Sequence, residues 1–282
     1  MPDRLSDRLS ALLQRFDLRS QLVMGGVLQH ELALQPQGGA GHLHLVRRGP
    51  VRLIGPQRQR VHLSEPSVVF IPRPMAHRVA ALSADGAELV SAAIHFGAGD
   101  ENPLLRSLPA LLCVPTAQLP GLALTQDLLF AEALAGRCGH VAVLDRLLEV
   151  LLIQLLRHAM AERLVDAGAM AGLSDARLAR TLSALHAEPA RHWTLETMAA
   201  VAGMSRARFA AHFAQTVGAP PGDYLTGWRL GLARRLLRRG MAVKQVAAEV
   251  GYASSGAFGR VFLQRVGSSP RDWQRAALTS AA

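Results

Sequence analysis

Apolar positions between Trp193 and Trp273 spell one pattern twice. The first copy, TLETMAAVAGMSRARFAAHFAQTVGAPP, runs from Thr194 to Pro221, and the second, VKQVAAEVGYASSGAFGRVFLQRVGSSP, from Val243 to Pro270. Ala199 and Gly203 precede Ala247 and Gly251 by 48 residues, and Phe209, Phe213 and Gly218 precede Phe258, Phe262 and Gly267 by 49. An internal repeat of this kind outweighs any single-residue argument. Each copy predicts helix, tight turn, helix. Leu195, Met198, Ala199, Val201 and Ala202 form a helical stripe, Gly203 supplies the left-handed turn, and Ser205 stands where a side chain caps the next helix. Phe209, Phe213 and Val217 then recur on one face at i, i+4 and i+8. Val243, Val246, Val250, Gly251, Ser254 or Ser255, Phe258, Phe262 and Val266 repeat the series. The small Ala199 and Ala247 suit a close helix crossing. This is the pattern of a helix-turn-helix, whose second helix enters a DNA major groove.

The segment between the copies, DYLTGWRLGLARRLLRRG, reads as a helix capped at Asp223 and stopped at Gly240. Leu225, Trp228, Leu232, Leu236 and Leu237 form its buried stripe. Arg229, Arg234, Arg235, Arg238 and Arg239 remain for solvent or phosphate. Such a helix is roughly 25 Å long, suited to holding two reading heads about one DNA turn, or about 34 Å, apart.

Earlier in the chain the texture differs. Residues 3–16 read as a short helix. After Met24 come runs bounded by Gly and Pro, namely GGVLQHELAL, GHLHLVRRG, PVRLIG, RVHLSEP, SVVFIP, HRVAAL and ELVSAAIHFG, with a polar hairpin tip at Gln57 to Arg60. Short alternating runs of this kind predict an antiparallel sandwich or barrel. Asn102 to Gly121 reads as a connecting stretch. Leu122 to Ala135 and Val141 to Val165 are long and helical in period, the second with a broad stripe of Leu144, Leu147, Leu148, Leu151, Leu152, Leu155 and Leu156, suited to packing on the barrel, to dimerisation, or to both. Ala167 to Ser174 reads as a flexible linker, and Asp175 to Ala187 as the first helix of the C-terminal domain. The fold class is therefore α+β: an N-terminal β-barrel with a helical extension, then an all-α domain. The expected boundaries are 1–100, 101–170 and 175–282, with helix-turn-helix motifs at 194–217 and 243–266 and a linker helix at 223–239.

Charge sharpens this division. The 282 residues carry a formal net charge of +10. From Ala171 onward there are 15 Arg and Lys against 6 Asp and Glu, while residues 1–170 carry 16 against 15. The excess sits on the repeat-bearing half, which points to a polyanion as its partner. Arg outnumbers Lys 30 to 1, but a coding bias would act on both halves. Cys113 and Cys138 provide neither a disulfide framework nor zinc-finger spacing and suit a reducing compartment. The amphipathic N-terminus does not read as a signal peptide, and Pro109, Pro115 and Pro120 break the longest uncharged run, so the expectation is a soluble, cytoplasmic, bacterial protein without a membrane partner.

The region from Leu178 to Arg275 resembles the DNA-binding domain of AraC/XylS-type transcriptional regulators, through YLTGWRLGLARRLL, VAAEVGYASSGAFGRVF and VGSSPRDWQR. That resemblance implies double-stranded promoter or operator DNA as a partner, a small-molecule effector, and RNA polymerase if the protein activates. It also implies a homodimer built on the helical extension. Base-reading positions carried over from the family fall on Ala207, Ala210, Ala211, Ser255, Gly256 and Arg260. Arg206, Arg208 and His212 are exposed candidates beside them, whether for bases or for phosphate. Arg234, Arg238 and Lys244 are candidates for phosphate contacts.

GGAGHLHLVRRG and SVVFIPRPMAHRV resemble, less closely, the two motifs of the cupin barrel. His42, His44 and His77 match that family's histidines, and His95 lies on a later strand. His42 and His44, two apart on a strand, share a face, so joint ligation of a divalent metal is sterically open. However, no carboxylate stands at Val46 to Arg48, where metal-binding cupins place a Glu, and Pro74 replaces the usual Gly. The alternatives are a metal site, an effector pocket, or barrel-lining histidines with no ligand. Arg47 and Arg48 suit an anionic ligand or a solvated pair. The leading expectation is an effector-controlled DNA-binding regulator that is not an enzyme and needs no cofactor. The rival is a cupin metalloenzyme of dioxygenase or isomerase type with an accessory helical domain.

Overall fold

The computed structural model describes residues 8–15, 18–36, 39–55, 60–96, 102–119 and 121–279. Two compact units emerge, and neither is continuous in sequence. One comprises residues 17–100 and 108–166, the other residues 1–16, 101–107 and 167–282.

The first unit is the predicted antiparallel barrel. Its strands are β1 (Arg19–Leu28), β2 (Glu31–Leu34), β3 (Gly41–Arg48), β4 (Val51–Ile54), β5 (Arg60–Leu63), β6 (Ser67–Ile71), β7 (His77–Ala81), β8 (Ala87–His95) and β9 (Leu112–Pro115). They form two sheets, ordered β1-β8-β3-β6-β9 and β2-β7-β4-β5, and every pairing is antiparallel. Val46, Val51, Leu53, Val69, Ile71, Val79 and Leu89 form the core between them. Leu43, Leu45, Val68, Phe70, Val90 and Ala92, on the opposite face of the larger sheet, are also fully buried. A sheet covered on both sides loses the simple in–out alternation, as the burial of β3 shows from Gly41 to Val46. Of the polar hairpin tip, only Arg60 is among the described residues.

Two helices of this unit, α3 (Leu122–Ala135) and α4 (His140–Ala161), pack on each other and on β1. Asp145 of α4 accepts the Leu22 backbone N–H at 3.0 Å, and its carbonyl accepts the Ser20 hydroxyl. The leucine stripe of α4 turns inward: Leu144, Leu148, Leu151, Leu152, Leu155 and Leu156 are all fully buried. The expected connecting stretch at Asn102 to Gly121 contains strand β9, which completes the larger sheet beside β6 through Leu112 and Val114.

The second unit contains α1 (Ser10–Arg15), α2 (Pro103–Arg106), α5 (Ala169–Ser174), α6 (Leu178–Ala187), α7 (Leu195–Ala202), α8 (Arg206–Val217), α9 (Pro221–Arg238), α10 (Val243–Glu249), α11 (Ser255–Val266) and α12 (Pro270–Thr279). The expected flexible linker is thus largely helix α5, whose Ala169, Met170, Gly172 and Leu173 are buried. Small side chains here permit close packing rather than mobility. The sequence repeat is a structural repeat. After α7, Gly203 takes φ +66° and the Met204 N–H reaches the Ala199 carbonyl at 3.0 Å. After α10, Gly251 takes φ +83° and the Tyr252 N–H reaches the Ala247 carbonyl at 2.9 Å. Each turn is a glycine-terminated helix end that satisfies an orphan carbonyl. Ser254 caps α11 by accepting the Ala257 N–H at 3.1 Å. Ser205 occupies the corresponding position before α8 without a side-chain cap bond.

Helix α9 is the spine between the two heads. It starts at Pro221, whose missing N–H suits a first helical turn, so Asp223 lies within that turn and pairs with Arg265 rather than capping. Leu225, Trp228, Leu232 and Leu237 are buried as expected, and so are Leu230, Gly231, Ala233 and Arg234. The reason is that α9 is covered on two sides. Leu230, Leu232, Ala233 and Leu237 pack with Val246, Ala247, Val250, Phe258 and Phe262 of the second head. Tyr224 and Trp228 meet the first-head side, Tyr224 edge-on to Phe213 and Trp228 stacked on His186 with centroids 3.7 Å apart.

Candidate nucleic-acid interface and barrel histidines

The two second helices, α8 and α11, have matching faces. Phe209, Phe213, Phe258 and Phe262 are fully buried, each contributing about 1.5–3 kcal/mol by leaving water. The opposite faces of the first turns stay open. Arg206, Ala207, Arg208 and Ala211 are exposed on α8, with Ala210 partly so, and Ser255, Gly256 and Arg260 are exposed on α11. This arrangement follows from the sequence pattern: aromatic residues at i and i+4 fix which way each helix rolls.

Two heads are useful for DNA only if their relative orientation is fixed, and specific contacts fix it here. Arg229 on α9 donates from Nε to the Pro189 carbonyl at 2.8 Å and from Nη2 to the Arg191 carbonyl at 3.0 Å. Its guanidinium also lies over the Tyr252 ring, 5.7 Å from the centroid. Arg229 is therefore a structural clamp, not a phosphate ligand. Gly251 faces Ala190 so closely that an added Cβ would stand 2.6 Å from the Ala190 Cα. At the other end of α9, the Gln274 side chain donates to the carbonyls of Leu237 and Met241.

Two sequence candidates need correction. Arg234 is only 7% exposed, on the flank of α9 beside Leu230 and Leu237, which pack on the second head, and so does not face phosphate. His212 points back into its own unit, its Nε2 lying 2.8 Å from Asp175 Oδ2, so that nitrogen is not free to read a base. Arg238 and Lys244 are exposed, and the Arg238 guanidinium sits 5.2 Å from the Trp273 ring centroid.

In the barrel, His42 and His44 share the inner face of β3, and His77 approaches them from β7. His44 and His77 meet through Nε2 atoms 2.9 Å apart. His77 Nδ1 lies 2.8 Å from the Met75 carbonyl, which only accepts, so this nitrogen carries a proton. A neutral His77 then accepts at Nε2, His44 donates from its Nε2, and His44 Nδ1 accepts from the Ser91 hydroxyl at 2.9 Å. The chain Ser91–His44–His77–Met75 is internally satisfied without a charge. Burial, then the neighbouring His77, hold the His44 pKa well below the ordinary histidine value. Burial likewise lowers His77, opposed by its bond to Met75. Burial, then His77 and His95, push His42 down to about 4. His42 Nδ1 is buried with no hydrogen-bond partner. His95 influences this group from β8.

His44 and His77 spend their convergent nitrogens on each other, and among the described residues no group of three or more His, Cys, Asp or Glu has metal-holding geometry. Arg47 pairs with Glu88 and lies over the Phe130 ring, 4.2 Å from its centroid, with 31% of its side chain exposed. The Arg47 pairing had a sequence signal only in the opposite charges on adjacent strands. The Asp175–His212 contact had none.

A buried barrel joined in one chain to a basic, paired helix-turn-helix unit defines a DNA-binding transcription regulator. Comparison with known proteins gives the same class. Residues 7–161 match the Cupin family and residues 198–276 the Helix-turn-helix domain family. An HTH-type transcriptional regulator of Haemophilus influenzae is 30% identical over 295 residues, covering 95% of this chain and 98% of the relative. An AraC-like transcription regulator of Streptomyces antibioticus is 32% identical over 307 residues, covering 97% and 98%. The DNA-binding domain of AdpA, solved in complex with a target DNA, is 31% identical with a TM-score of 0.35, covering 36% of this chain and 93% of that one. This chain belongs to the AraC-like transcriptional regulators, with an N-terminal cupin domain.

Proposed function

We propose that the chain is an effector-controlled, sequence-specific regulator whose two reading helices enter successive major grooves of one duplex. The observation that carries this reading is the matched burial of Phe209 and Phe213 with Phe258 and Phe262, which leaves both first turns open on a common spine. Arg206, Ala207, Arg208, Ala210 and Ala211 face DNA from α8, and Ser255, Gly256 and Arg260 from α11. Arg238 and Lys244 grip phosphates. Arg260 is the long donor among the matched positions of the second head and reads guanine.

The barrel histidines form the polar end of an effector pocket, with His42 Nδ1 as the unsatisfied group a ligand would meet. The self-satisfied His44–His77 pair supports this role over a metal cage, and with it a regulator over a cupin metalloenzyme. A second copy of the chain covers the exposed apolar residues Leu124 and Leu128 of α3 and Val143 and Val150 of α4, which the inward-turned leucine stripe leaves at the surface. Among the described residues no helix is long and apolar enough to cross a membrane, and the protein acts on DNA in the cytoplasm, contacting RNA polymerase where it activates.

Selecting bound duplexes from a random pool tests the reading, and recovery of no preferred sequence would refute it. On a selected duplex, Arg260→Ala weakens binding by about 1–3 kcal/mol and relaxes preference at one position. Unchanged affinity in a titration removes Arg260 from the reading set.

Acid weakens the barrel unit in a predictable window. Unfolded histidines take up protons near 6.5, whereas folded His42 does so only near 4. Between those values the unfolded chain binds more protons, so stability present above about pH 6.5 is lost as the pH falls. The protection of β3 and β7 amides against hydrogen exchange, taken relative to the intrinsic rate at each pH, is expected to fall over that range, and less steeply in His42→Gln. A flat profile in the wild type would exclude the buried neutral cluster.

A further inference from the structure

We infer that Asp175 is a positioning residue for the first DNA-reading helix, although it lies outside the segment that matches the helix-turn-helix family. The inference rests on the DNA-binding reading above and adds to it a determinant of how α8 is presented. The two oxygens of Asp175 have separate tasks. Oδ1 accepts the N–H groups of Arg177 and Leu178, both at 2.9 Å, and so holds the carboxylate at the start of α6. Oδ2 holds His212 of α8 at 2.8 Å. Burial tends to raise the Asp175 pKa, but the bonds from Leu178, His212 and Arg177 outweigh it and keep the carboxyl below its ordinary range.

The tether acts where apolar packing specifies little. Phe209, Phe213 and Val217 press α8 inward, but packing by large apolar groups tolerates small rotations about the helix axis. A rotation of 10–20° is enough to disturb a functional constellation. His212 lies on the flank beside Phe213, so its bond to a fixed carboxylate opposes that rotation. Helix α5, which leads into Asp175, supports the carboxylate from behind. The Gly168 N–H donates to the Thr216 carbonyl of α8 at 3.3 Å. A Cβ on Gly172 would stand 2.4 Å from Leu182 and 2.9 Å from Val217. The Ser107 hydroxyl accepts the Met170 N–H at 3.2 Å. The strap of residues 102–107 and helix α5 thus back the side of α8 opposite its open face.

The test uses the full chain and a duplex that the wild type has selected from a random pool. Asp175→Asn keeps an acceptor for the α6 cap, since Asn and Asp cap equally well, but removes the charge-assisted bond to His212. His212→Phe keeps a ring of similar size and removes the bond from the other side. Each variant is expected to lose roughly three- to tenfold in affinity, with only a small fall in melting temperature from the lost bond. The double variant should lose no more than either single one, because the two residues form one coupled pair. Methylation interference should show the loss at the bases contacted by α8 and not at those contacted by α11. A purely structural role would instead weaken both tracts together, and that result overturns the inference. So does wild-type affinity in both single variants. Failure of the wild type to select any duplex would overturn the DNA-reading proposal itself, a separately visible outcome.

Discussion

Gly251→Ala destabilises the helical unit by about 2–5 kcal/mol, whereas Gly203→Ala, at the equivalent position of the first copy, costs only about 1–2 kcal/mol. Both glycines hold a left-handed turn, at φ +83° and φ +66°, so both substitutions incur the backbone penalty. Their surroundings differ. A Cβ at Gly203 meets nothing within 4 Å, while one at Gly251 stands 2.6 Å from the Ala190 Cα and 2.8 Å from its carbonyl oxygen. Backbone cannot swing aside as a flexible side chain does, so the added methyl forces the second head away from the α6–α7 loop. That separation also strains the Arg229 clamp on the Pro189 and Arg191 carbonyls. The matched pair isolates the close approach from the turn itself. Trp193, Trp228 and Trp273 are the three tryptophans of the chain and all lie in this unit, so urea unfolding followed by their fluorescence reads its stability. Equal losses in the two variants would show that Gly251 does not fix the spacing of the heads.

Phe258→Ala costs about 3–5 kcal/mol and removes the second head as a folded element. Phe258 is fully buried, with Phe262 and Tyr252 rings at 5.4 Å and 5.5 Å, and it closes the cluster of α9, α10 and α11 residues. A cavity there cannot collapse, because the Gly251 turn and the α9 spine already confine both sides. The proposed DNA contacts from Ser255, Gly256 and Arg260 are expected to vanish, while those proposed for α8 persist on its own anchors, Phe209 and Phe213. Denaturation gives the stability, and interference mapping gives the loss of one tract. A loss under about 1 kcal/mol would mean that the repeat's aromatic register is not what holds α11 in place.

The repeat was legible because its signals are local. Glycines that end helices, serines that begin them and aromatics at i and i+4 need no tertiary information. The barrel strands from β3 to β8 were legible as short runs between Gly and Pro for the same reason. What the sequence concealed depends on partners distant in the chain. Strand β9 hid in a Pro- and Leu-rich stretch because only pairing with β6 makes it a strand. Ala169–Ser174 looked like a linker because small residues suit both flexibility and tight packing, and only the neighbours Ser107, Leu182 and Val217 select the second. Arg234 looked solvent-facing because the helical period of α9 predicts one buried face, whereas the second head buries another. That His42 and His44 share a face follows from strand alternation, but the bond between His44 and His77 is a matter of ring orientation, to which residue order is blind.

Hydroxyl-radical footprinting of the full chain on a selected duplex tests the two-headed reading most directly. Two protected tracts are expected on one face of the DNA, about 10 bp apart centre to centre, the tract of α11 fading in Phe258→Ala while the tract of α8 remains. A single tract, or two on opposite faces of the duplex, would contradict it.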